Sequence, residues 1–217
     1  MNSSLIQLLV LAGIAIFLIL KLRSVLGTRD GFEKPTASET TGPSPRPKFE
    51  VIDGGPDRDI TDHTTDTASS AALAAMKAAE PSFNVTDFLK GARQAYEMIL
   101  MAFDKGDLAQ IKPFLGEDVL ATFTAAITDR DNQGLKIDSV FAGVRDMSLT
   151  EATFDTTTKM AEIAVRFSGE LTRTVRDKSG TVVEGGPTAI TRQRDTWTFA
   201  RRMGVNDPNW QLAATGD

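Results

Sequence analysis

"EIAVRFSGEL", residues 162–171, decides the fold. Ile163, Val165, Phe167, Gly169 and Leu171 take alternate positions, with Glu162, Arg166, Ser168 and Glu170 between them. Successive side chains of a β-strand point to opposite faces, so this spacing gives one apolar face and one wet face. A strand of that kind belongs in an antiparallel sheet that covers a core on one side.

The neighbouring stretches read as more of the same sheet. "RDKSGT", residues 176–181, is a turn into Val182 and Val183, and "EGGP", residues 184–187, predicts a break. Trp197 and Phe199 share one face of a further strand, and Ile190 is out of phase with them, which predicts a bulge. "NDPNW", residues 206–210, is a turn, and "WQLAAT", residues 210–215, is a final short strand. Upstream, Leu135 and Ile137 alternate with charges, and Met147, Leu149, Ala152 and Phe154 continue toward the hairpin.

Before Gly134 the period is that of a helix. Phe88, Ala92, Ala95, Tyr96, Ile99 and Phe103 recur every three to four residues. Asn84 caps this helix and Gly106 ends it. Asp107 then starts a second short helix, with Leu108 and Ile111 facing inward until Pro113 interrupts. Glu117 or Asp118 opens a third, with Val119, Leu120, Phe123, Ala126 and Ile127 as its apolar stripe and Gly134 as its end. Helices followed by a run of antiparallel strands define an α+β domain over residues 83–217. Its helices pack on a curved sheet and make a cone with an apolar interior.

Residues 68–82 hold a short Ala-rich helix, "ASSAALAAMKAAE", stopped by Pro81. Leu73 and Met76 give it a weak apolar face, and Lys77 is its only cation, which favours packing on the domain over lipid contact. Residues 28–67 read as a disordered, acidic, Pro-rich linker. From Glu50 to Asp66 six carboxylates accompany one Arg, too polar a stretch to build a core. The single histidine, His63, falls here and reads as a solvated linker residue. Such a tether reaches roughly 35 Å.

"LIQLLVLAGIAIFLIL", residues 5–20, carries no charge. With its flanks it makes about twenty residues, enough to cross a hydrocarbon core of roughly 30 Å. Lys21 and Arg23 follow the run, whereas "MNSS" before it has no charged side chain, the reverse of a cleaved signal peptide. Residues 1–27 therefore read as a transmembrane anchor with Lys21 and Arg23 as its cytoplasmic flank. The expected location is a bacterial inner membrane, single-pass, with the N-terminus outside and residues 83–217 in the cytoplasm.

Composition narrows the function. A net charge of −5 argues against a nucleic-acid partner. The chain has no cysteine and one histidine, which excludes thiolate chemistry and leaves no basis for a metal site or another cofactor. An enzyme of a cone fold needs a carboxylate facing inward. Asp195, in phase with Trp197, is the one candidate. An apolar ligand such as a lipid tail would meet Phe88, Tyr96, Ile99, Phe103, Phe123, Phe167, Trp197 and Trp210, and these residues also suffice simply to fill a core. Trp210 either packs the last strand or stands at a pocket mouth. Residues 135–217 balance eleven basic and eleven acidic residues, yet Arg192, Arg194, Arg201 and Arg202 cluster near the end. They are candidates for contact with an acidic partner or anionic lipid.

The anchor and acidic tether, the helix "FLKGARQAYEMILMAFDKGDLAQIKPFL" and the closing "DPNWQLAAT" together resemble the Tim44-like family. The resemblance rests on Phe88, Leu89, Gly91, Ala92, Phe103, Gly106, Asp107 and Leu108, and on Asp207, Pro208, Asn209 and Trp210. It implies a cone-shaped α+β fold similar to nuclear transport factor two and cystatin, and a scaffold rather than a catalyst. The implied role is a membrane-anchored adaptor that recruits protein partners, a translocase or a chaperone among them, to the inner membrane. An apolar-ligand or lipid-binding domain is the alternative.

Overall fold

The computed structural model describes Gly55 and residues 57–216. Among these residues four α-helices come first: α1 (Arg58–Thr61), α2 (Thr67–Ala79), α3 (Val85–Lys105) and α4 (Glu117–Gln133). Four strands follow: β1 (Lys136–Phe154), β2 (Met160–Arg176), β3 (Val182–Arg202) and β4 (Gln211–Gly216). They form one antiparallel sheet in the order β1-β2-β3-β4. The domain is therefore α+β. Lys21, Arg23 and the apolar run 5–20 lie outside the described residues, as does the linker from 28 to 54. Among the described residues no helix is long and apolar enough to cross a membrane.

α3 forms where its sequence directs. The Asn84 carboxamide accepts from the Asp87 N–H at its start, and Gly106 ends it at φ 76°. Only glycine adopts that left-handed conformation without strain. Its buried face holds Phe88, Leu89, Ala92, Tyr96, Ile99 and Leu100, with Asp104 at the end of the same row. Each fully buried Leu, Ile or Phe of this kind contributes about 1.5–3 kcal/mol. α2 buries Leu73 and Met76 completely and, like α3, packs on β1.

β2 is the strand the alternation promises. Ala161, Ile163, Val165, Phe167 and Leu171 are buried, against Val144, Leu149 and Ala152 of β1 and Trp197 and Phe199 of β3. β1 keeps no single phase. Register shifts at Phe141/Gly143, Val144/Asp146 and Leu149/Glu151 let Leu149 and Ala152 both face inward three residues apart. Each bulge inserts a residue, bends the strand and adds twist.

Three local expectations are corrected. Asp107 and Leu108 are irregular and residues 109–111 form a turn rather than a second helix, and the helical piece there is a 3-10 turn, Lys112–Phe114, with Pro113 inside it near its start. Proline is tolerated at that position because its missing N–H is not needed there. "EGGP" does not interrupt a strand. Gly185 adopts φ 71° with its Cα against the Arg173 carbonyl, and the pairing skips from Thr174↔Gly185 to Thr172↔Ile190 within one continuous β3.

The third correction concerns the end of the linker. α1 is folded onto the domain and buries Ile60. The Asp59 carboxylate accepts from the Val85 N–H (2.8 Å), the Thr86 N–H (3.0 Å) and the Thr86 hydroxyl (2.8 Å), so it caps α3 from outside. Lys77 of α2 holds Asp57 and Asp59 together. His63, expected in solvent, is half-buried with Nε2 2.9 Å from the Thr86 hydroxyl.

Candidate functional site: an apolar cleft beside the last strand

A cleft of about 620 Å³ opens where the end of α2, the exposed side of α3 and the turn before β4 meet. Phe83, Phe88, Ala92, Ala95, Met98, Phe114, Phe199 and Trp210 give it an apolar surface, and Gly91 also lines it. Its size and lining are those of ligand-binding clefts in general.

The turn "DPNW" presents Trp210. The Asp207 carboxylate accepts from the Asn209 N–H (3.0 Å) and carboxamide (2.9 Å), an Asx turn that fixes the chain just before β4. The Trp210 ring then lies 4.7 Å from Phe88 and 5.9 Å from Phe83, centroid to centroid. It stays half-buried, at the wall of the cleft rather than inside the core.

Arg201 closes the inner end. Its guanidinium donates to Glu80 at 2.6 Å and more weakly to the Asp207 carbonyl at 3.4 Å, and it stands 5.3 Å from the Trp210 ring. Glu80 also accepts from the Gly204 N–H at 3.0 Å. Burial opposes the charge on Glu80, but the Gly204 N–H, Arg201 and Ser82 outweigh it and hold its carboxyl below the usual range. The Nε of Arg201 has no acceptor.

The Tim44-like domain family matches residues 69–217, which include every residue of this cleft. The chain belongs to the Tim44-like family. Among curated proteins this Tim44-like chain is similar to "Mitochondrial import inner membrane translocase subunit TIM44-1" of Arabidopsis thaliana, with 24% identity over 138 residues. That match covers 62% of this chain and 28% of the plant protein. Among solved structures, the intermembrane space region of the chloroplast protein ARC6 is similar at a TM-score of 0.42 and 13% identity, over 59% of this chain and 94% of that one.

The Tim44-like domain distributes the eight aromatic and apolar candidates over three places. Phe88 and Trp210 line the cleft. Tyr96, Ile99, Phe167 and Trp197 are buried in the core, where Tyr96 stacks on Phe167 at 4.4 Å and 11°. Phe103 and Phe123 pack on each other, 4.7 Å apart, between α3 and α4. The interior of the domain is thus filled by its own side chains at these positions.

The four arginines do not form one patch. Arg201 is buried, 8% exposed, so it is not part of an exposed basic patch. Its odd-numbered position places it with Trp197 and Phe199 on the inner face. Arg192 reaches Glu170 at 3.1 Å, beside Arg145 at 2.8 Å. Arg194 and Arg202 are exposed, with no ion-pair partner among the described residues.

Asp195 is held away from the cleft. The Tyr96 hydroxyl donates to it at 2.5 Å and the Gln193 amide at 3.0 Å. Burial and then Asp195 itself push the Tyr96 phenol well above its ordinary range. Asp104 and Glu80 went unnoticed in the sequence. Asp104 is almost wholly buried, bonded to Arg173 at 2.9 Å and to the Ser139 hydroxyl at 2.6 Å. It extends the row Ala92, Tyr96, Leu100 by one more step of four, a spacing that could have revealed it. Among the described residues no group of three potential ligands gathers to hold a metal ion.

Proposed function

We propose that this Tim44-like chain is a membrane-anchored, non-catalytic adaptor. Residues 1–27 hold it in a bacterial inner membrane, N-terminus outside, and the folded domain recruits protein partners on the cytoplasmic face. The partners belong to protein translocation, to a chaperone system or to an assembling membrane complex. The observation that carries this reading is the family match over residues 69–217, joined to the similarity with a protein named as a subunit of an import translocase. The exposed apolar cleft supports it, because open apolar surface of this kind marks interaction sites.

Crosslinking in intact cells tests the proposal. The full chain is compared with one lacking residues 1–27, and its protein adducts are quantified by mass spectrometry. Defined protein adducts that fall several-fold without the anchor are expected. Adducts indifferent to the anchor, or no protein adducts in either form, would remove the adaptor reading.

A further inference from the structure

Two groups in the cleft, Gly91 and the Arg201 Nε, have no partner inside the domain. Gly91 lies exposed within α3 and lines the cleft. Glycine is the poorest helix former after proline, and nothing lies within 4 Å of where its Cβ would stand. No neighbour inside the domain therefore requires a glycine there. The second feature is Arg201, 8% exposed and lining the cleft, whose Nε lacks an acceptor. A buried donor without a partner is costly, and an occupant that supplies an oxygen removes that cost.

We propose that the cleft docks a short apolar segment of a protein partner, its backbone lying against α3 at Gly91 and one of its carbonyl groups accepting from the Arg201 Nε. This rests on the adaptor reading above and gives the partner its chemistry. The charges favour a peptide. Glu80 and Asp87 are the acids of the lining and Arg201 its one base. Glu80 already neutralises Arg201 at 2.6 Å. Lys90 likewise pairs with Asp87 at 2.9 Å, so among the described residues the cleft holds no free cation to receive a lipid phosphate or a carboxylate, whereas a neutral peptide carbonyl needs none.

The walls suit the same occupant. Met98, 41% exposed, is an adaptable apolar contact, and the amides of Asn84, Gln94 and Asn209 can pair with peptide groups. Trp210 is half-buried and stands 5.3 Å from the guanidinium, so it is a side chain whose movement would admit an occupant there. Rotamer changes of that kind are common on binding.

The experiment uses the full chain in native membranes, with photo-crosslinking benzoyl-phenylalanine at position 98 in the cleft or, as a control, at position 194 on the outer sheet face. Adducts are mapped by peptide mass spectrometry, with and without Gly91→Leu, which fills the cleft. The expected result is an adduct from position 98 that maps to an apolar protein segment and falls at least tenfold in Gly91→Leu, with no drop in melting temperature. A phospholipid adduct from position 98, or a protein adduct that Gly91→Leu leaves unchanged, overturns the proposal. Protein adducts from position 194 alone overturn it and leave the adaptor reading standing. Protein adducts from neither position end both. If Gly91→Leu melts earlier, Gly91→Ala replaces it, and early melting of that variant too makes the glycine structural and overturns the proposal.

Discussion

At Gly169 the sheet makes room for a ring. A Cβ there would stand 3.0 Å from the Tyr96 ring and hydroxyl, and the Tyr96 ring is enclosed by Phe141, Phe167 and Trp197. Gly169→Ala should therefore destabilise the domain by about 1–3 kcal/mol, the range for overpacking a closed core, as read from urea unfolding. Tyr96 is the only tyrosine in the chain, so its ionisation can be followed by absorbance without ambiguity. Its phenol is pushed up from the ordinary 10.0 by burial and by Asp195. Below pH 10 both folded and unfolded chains keep the proton. Above it only the unfolded chain loses it, so stability falls as pH rises past about 10. Tyr96→Phe should flatten that fall, and an equal alkaline loss in both proteins would show that the phenol is not its source. Arg201 shows what a sequence conceals at this scale. Its inward parity is visible in the chain, but the acid that neutralises it, Glu80, lies 121 positions away.

α1 is an element of four residues that ties α2 and α3 together. Burial works against the Asp59 charge, but Lys77, the Thr86 and Val85 N–H groups and the Thr86 hydroxyl outweigh it and hold the carboxyl far below the ordinary 3.8. The stability this contributes is present above pH 3.8 and is lost as pH falls further. Asp59→Ala should cost about 1–2 kcal/mol at neutral pH, as for a lost helix cap, and should lose less additional stability on acidification than the wild type. The measurement is urea unfolding at pH 7 and pH 3. Equal acid sensitivity in both would place the effect elsewhere. The elements differ in how far they were legible. α3 and β2 were readable because each is long, holds one period and bears its own end signals, Asn84 and Gly106 for the helix. β1 was readable only in pieces, since its bulges shift the phase between Leu149 and Ala152. α1 was hidden because one buried residue, Ile60, in an acidic stretch leaves no periodic trace. In the cleft Phe88 and Trp210 were legible as aromatic residues, whereas Gly91 and Arg201 gain meaning only once α3, β3 and the final turn meet.

At the scale of the whole molecule the claim is one of placement. A domain that recruits partners for a membrane process must lie on the side where those partners are. The charges beside the apolar run, Lys21 and Arg23 after it and none on the side chains before it, set the expected orientation. Protease accessibility of residues 83–217 tests this most directly. Protease added to intact spheroplasts should leave the domain whole, and the same protease should digest it in inverted inner-membrane vesicles. Digestion from outside the spheroplasts would contradict a partner-binding domain on the cytoplasmic face.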